Sequence, residues 1–309
     1  MANIRILKSH IESVEPKVSA IESTLKANPE NFAMKLELDS LKNQLNDLRD
    51  QLYKENIKRE KEVVELRLIG EESYYGSLPL NFVGGLTNNF ASALHSTSKY
   101  LKYGRKGGLK REKEIRQLVD LRLEGIGKGS TIFYISGKTS PDMFGYSIFQ
   151  NTLENTFNLF DSRTPDDITN NIGSVGVKSI KYISRFLFAL KEDNLEVDLK
   201  WNSPDLKELE WEGKKDTINN LFNTLNQVKI SEPEDIHFEG ELITISSKGR
   251  FEIQTGKHTT LFGHFSSDLL EKMKEFHIGD YCQGIMTKTL IYNPLTDKEK
   301  VEFNLTSIY

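Results

Sequence analysis

The chain contains a single cysteine, Cys282, in 309 residues. Neither a disulfide framework nor a zinc site of paired cysteines can form within one chain, and a reducing compartment, the cytoplasm, is the expected location. No segment reaches the roughly 18 continuous apolar residues of a membrane span, and Met1 to Lys8 holds no apolar run ending in small residues, so no membrane partner is expected. The six histidines never take the two-His helical spacing with a nearby glutamate that a hydrolytic metal site uses. A Gly-x-Ser-x-Gly elbow is missing as well. Gly125-Ile126-Gly127-Lys128-Gly129-Ser130 departs from a phosphate-binding loop, because Lys128 is followed by glycine, the upstream glycine is missing and strands flank it on both sides. It reads as a hairpin turn. No catalytic, cofactor-binding or metal-binding residue is assigned and no cofactor is expected. The chain is read as non-enzymatic unless catalytic groups assemble from distant positions.

What is present is ordinary for a globular protein: 37% hydrophobic and 28% charged residues, a net charge of −4, and length for two or three domains. Ile4, Leu7, Ile11, Val14, Val18, Ile21 and Leu25 alternate spacings of three and four, a narrow heptad seam. After the turn-rich Asn28-Pro29-Glu30-Asn31 the pattern resumes at Met34, Leu38, Leu41, Leu45, Leu48 and Leu52. Two antiparallel helices over residues 1–62 follow, with Pro16 kinking the first or dividing it in two. A two-helix hairpin leaves part of its seam open, so it docks on the middle domain or associates with itself or a protein partner. Ile4, Leu7, Ile11, Val18, Leu38, Leu41, Leu45 and Leu48 are the candidate seam.

Residues 63–230 read as an α+β domain with a mixed or antiparallel sheet and helices on one face. A strand at Val63 to Ile69 precedes a helix from Leu80 to Leu101. A further strand is expected from Leu118, whose Leu118 to Gly125 resembles Val63 to Gly70, and another at Thr131 to Ser136. Ser140-Pro141-Asp142 is read as a helix start, with Phe149, Leu153, Phe157 and Phe160 as the apolar face. One helix is expected from Thr164-Pro165-Asp166-Asp167 to about Leu190. A hairpin of Leu195 to Trp201 and Leu209 to Trp211 and an amphipathic helix through Leu225 complete the domain.

Beyond the polar linker Ser231 to Glu234, residues 234–309 carry three strands, a helix and two strands, the helix capped by Ser267 and ended by Gly279. That order resembles the five-stranded oligonucleotide/oligosaccharide-binding barrel. Its net charge from Ile236 to Tyr309 is −2, the wrong sign for a nucleic-acid funnel. Phe262 and His264 share one side of a strand and form the candidate barrel surface. Between Lys99 and Arg116 eight basic residues meet two acidic ones, a local +6. Lys102, Arg105, Lys106, Lys110 and Arg111 are the candidate polyanion-binding set, on a loop loosened by Gly104, Gly107 and Gly108. The first functional reading is a non-catalytic assembly, adaptor or regulatory subunit that works through its coiled coil. The second is a nucleic-acid binder using the 99–116 loop and the barrel, and the third is an enzyme with a dispersed site.

Overall fold

The computed structural model describes residues 2–27, 30–57, 61–71, 77–104, 109–127, 131–140, 147–203, 208–246, 249–257 and 259–309. They form two compact units, residues 1–60 with 202–208, and residues 61–201 with 209–309.

In the first unit, α1 (Ala2–Ala27) and α2 (Phe32–Ile57) pack as a pair. Arg49 bonds Glu15 at 2.7 Å and Lys42 bonds Glu22 at 2.8 Å, a register in which one index falls as the other rises, so the helices are antiparallel. Val14, Val18 and Leu45 are buried between them, with Ile11, Leu38, Leu41 and Leu48 packed alongside. α1 runs unbroken through Pro16. That proline faces solvent, so the donor it lacks leaves no buried carbonyl stranded.

The second unit opens with a five-stranded sheet in the order β2-β3-β1-β4-β5. Its strands are β1 (Lys61–Ile69), β2 (Arg122–Gly127), β3 (Ile132–Lys138), β4 (Glu196–Asn202) and β5 (Glu208–Gly213). β1 pairs antiparallel with β3 and β4, and β2 with β3. Val64, Leu66 and Leu68 of β1 face Ile135 and Phe133 on one side and Trp201, Leu199 and Val197 on the other, which makes one apolar face. Helices α3 (Leu80–Tyr103), α5 (Ile148–Phe160), α6 (Pro165–Val175), α7 (Val177–Glu192) and α8 (Lys215–Gln227) build the core against that face. Phe160 stacks on Trp211 at 4.5 Å, and Phe157 tilts against Trp201 at 6.3 Å.

Two local readings are corrected. Residues 109–119 form a helix, α4 (Leu109–Val119), where a cationic loop and the start of a strand were expected. Ile115, Leu118 and Val119 are spaced for a helix, and Ile115 and Val119 are fully buried under α3. The likeness of residues 118–125 to 63–70 extends to their conformation only from Arg122, where β2 begins. The helix expected from Thr164 to Leu190 is two helices broken at Gly176, whose φ of +80° ends α6 and begins α7. α6 starts as expected: the Thr164 and Asp167 side chains cap each other's backbone N–H groups. For α5 the cap is Ser147, and the start expected at Pro141 and Asp142 lies outside the described residues.

After the two-residue β6 (Lys229–Ile230), strands β7 (Glu234–Ser246), β8 (Arg250–Gly256), β9 (Thr259–Phe265), β10 (Tyr281–Asn293) and β11 (Lys298–Ile308) close into a five-stranded barrel. The pairs β7–β8, β8–β9, β10–β11 and β10–β7 are antiparallel, and β9–β11 is parallel. This is the connectivity expected from the strand order. The intervening helix is shorter than expected: a 3-10 turn at Ser267–Leu269 and then α9 (Leu270–Met273), preceded by Ser266 with no side-chain cap. Met273 is fully buried and closes the barrel core with Phe238, Phe251, Phe265, Cys282 and Leu305. Among the described residues no helix is long and apolar enough to cross a membrane.

The barrel and helices share a continuous boundary. Ile291 of β10 belongs to the helical core. Asn293 Nδ2 donates to the Thr169 hydroxyl at 2.9 Å and the Pro165 carbonyl at 3.1 Å, and the Lys298 ammonium pairs with Asp166. The first turn of α6 is thus clasped by the β10–β11 hairpin.

Candidate functional site

The strand register sets a row of polar side chains across the barrel's outer wall. Arg250 of β8 lies opposite His264 of β9, His264 opposite Asn304 of β11, and Asn304 opposite Thr287 of β10. Their sequence neighbours Phe251, Phe265, Leu305 and Met286 point into the barrel core, so alternation turns the polar row outward. Four strands at about 4.8 Å spacing make the row roughly 14 Å wide.

Opposite this wall stands α5. Its apolar side, Phe149, Leu153 and Phe157, enters the core, which leaves Asn151, Asn155 and Asn158 together on the other side. Between wall and helix lies a cleft of about 410 Å³, closed on a third side by Tyr100 to Gly104 at the end of α3. Tyr100 donates its hydroxyl proton to Asn304 Oδ1 at 2.7 Å. Asn304 is 7% exposed, and its Nδ2 has no hydrogen-bond partner. Two glycines permit close packing around the cleft: a Cβ at Gly176 would sit 2.6 Å from the Tyr100 ring of α3, and one at Gly173 of α6 would overlap the Glu302 carboxylate of the wall.

His264 is neutral at pH 7. Burial pushes its pKa down to about 4, and the cations Arg250 and Lys300 act in the same direction. In the unfolded chain the same imidazole titrates near 6.5. Between those values the unfolded chain holds the extra proton, so stability is lost as pH falls from about 6.5 to 4. Urea denaturation at pH 7 and pH 4 should show His264→Asn losing about 1–3 kcal/mol less than the wild type over this interval. Equal losses in the two proteins would refute the burial of a neutral imidazole.

The residues singled out in the sequence are distributed over three places. Lys102 of α3 and Arg111 of α4 come together over the Tyr103 ring, at 5.6 and 5.0 Å from its centroid, and Tyr103 donates to Glu114 at 2.7 Å. The two acidic residues of the basic stretch are thereby engaged, since Glu112 takes Lys99 at 2.8 Å and lies 3.9 Å from Arg116. Arg105 and Lys106 lie outside the described residues, as does the side chain of Lys110 on α4. In the seam, Val18 and Leu45 are buried, Leu7, Ile11, Leu38, Leu41 and Leu48 are half-buried, and the side chain of Ile4 is outside the described set. Phe262 and His264 part company: Phe262 is 62% exposed, whereas His264 lines the cleft.

Sequence reasoning did not single out Arg250, Asn304 or the α5 amides. The amide stripe was detectable at spacings of four and three along α5, but nothing local says what a helix face looks toward. Among the described residues no three His, Cys, Asp or Glu side chains are placed to share a metal ion. Compared with protein-family models, with curated proteins and with solved structures, the chain matches none.

Proposed function

We propose that the protein is a cytoplasmic, non-catalytic assembly or adaptor subunit that associates with a second copy of itself through the α1–α2 pair. One observation carries this reading: among the described side chains the pair buries Val14, Val18 and Leu45, yet exposes Phe32 at 76% and Leu36 at 64%. These two lie four residues apart, on one helix face. Helices of 26 residues run about 39 Å, a long surface for so small a core. Charges of both signs flank the seam on both helices, which suits pairing with an identical surface.

Light scattering on the full chain at tens of micromolar should return at least twice the 35.4 kDa of one chain. Phe32→Glu with Leu36→Glu should return it to a single chain with unchanged helix content. A wild-type mass of one chain sinks the proposal. The nucleic-acid reading ranks second. Lys102 and Arg111 meeting over Tyr103 supports it, and Glu112 and Glu114 within the same surface weaken it.

A further inference from the structure

We propose that the cleft between the barrel wall and α5 binds a phosphate monoester of sugar or nucleoside size, with its phosphate at Arg250 and its body along Asn151, Asn155 and Asn158. The proposal is independent of self-association, since it uses other residues on the other unit.

Charge points to the anion. Of the ionic side chains lining the cleft, Glu271 is neutralised by Lys274 at 2.6 Å and Lys102 lies over Tyr103. Glu154 also has an interaction of its own. Arg250 is exposed, its guanidinium has no hydrogen bond or ion pair among the described residues, and the imidazole beside it is held neutral. The guanidinium of an arginine lining a polar cleft offers a planar fork that matches the geometry of a phosphate or carboxylate. A metabolite phosphate is favoured over a carboxylate because the neighbouring His264 and Asn304 are neutral and carry N–H donors, suited to the several oxygens of a tetrahedral anion.

The body of the ligand is indicated by the amides. Asn151 and Asn155 have side chains with no hydrogen bond among the described residues, half-buried against the cleft rather than in open solvent. Each presents a carbonyl and an amino group together, the complement of vicinal hydroxyls or of a base edge. Asn304 Nδ2 is a buried donor of the row with no partner among the described residues, which costs stability unless an acceptor arrives. The volume of about 410 Å³ lies in the range of small-molecule sites and is too small for a folded partner.

Isothermal titration calorimetry on the full chain at low salt tests the inference with adenosine 5′-monophosphate, ribose 5-phosphate, adenosine and inorganic phosphate. At least one organic phosphate should bind ten-fold or more tighter than both adenosine and inorganic phosphate. Comparing the first two probes tells a nucleotide site from a sugar-phosphate site. Arg250→Gln, a change at an exposed position, should weaken the binding at least ten-fold, and Asn155→Ala at least three-fold, with melting temperatures and molecular mass unchanged. Absence of binding by both organic phosphates at millimolar concentration overturns the proposal. So does binding that survives both substitutions. Binding of a single-stranded oligonucleotide that Arg250→Gln abolishes, with no binding of either monomer, also overturns it and makes the wall a strand reader.

Discussion

Gly263→Ala is expected to destabilise the protein by about 3 kcal/mol or more, the upper end of overpacking penalties. Gly263 lies opposite Phe303 in the parallel β9–β11 pair, and a Cβ there would overlap the Phe303 carbonyl. The obstacle is backbone, so no rotamer relieves it. Moving β11 outward breaks its ladder with β10, and moving β9 breaks its ladder with β8, and either displacement opens the barrel around Phe265 and Leu305. Gly125→Ala on the edge strand β2 is the control, because a Cβ there meets nothing within 4 Å, and its effect should stay within about 0.5 kcal/mol. Urea denaturation measures both. A loss below about 1 kcal/mol for Gly263→Ala would show that the barrel does not close by this contact.

Trp201 gives the second large effect. It is fully buried on β4, rests against Phe157, and donates its indole N–H to Glu62 at 2.8 Å. Glu62 is itself fully buried and also accepts from Gln150 Nε2 at 2.8 Å. Trp201→Ala should cost about 3–5 kcal/mol, through lost apolar burial and the cavity left behind. Trp201→Phe keeps most of the packing and removes a donor from a buried acid, and should still cost about 1.5–3 kcal/mol. The difference between the two variants separates packing from hydrogen bonding. If Trp201→Phe unfolds within about 0.5 kcal/mol of the wild type, Glu62 does not depend on the indole for its solvation.

Local pattern carried much of this architecture. The three-and-four spacing from Ile11 to Leu48 implied a helix pair, because a narrow apolar stripe is satisfied only by another helix. Alternation along Leu195 to Trp201 and the Thr164–Asp167 cap were readable because each acts within a few residues. The barrel followed from the order of its strands, since so few connections join five short strands and one helix. Two local signals were misread. Ile115, Leu118 and Val119 mark a helix when placed against α3, although Leu118-Val119 in a basic stretch also resembles a strand start. Gly176 ends a helix inside a continuous apolar pattern.

The cleft belongs to tertiary structure alone. Arg250, His264, Thr287 and Asn304 span 55 positions of sequence and become one row only through strand register. A slip of one residue in any strand would turn its member of the row into the barrel core, and nothing local to Asn304 names His264 as its neighbour. The same holds for the face of α5: its three amides identify a polar side, and tertiary contacts such as those of α6 with the β10–β11 hairpin and of Tyr100 with Asn304 determine that this side meets a barrel wall instead of water. Propensity and pattern act over one or two turns of chain, whereas a site made of two surfaces depends on the packing that brings them together.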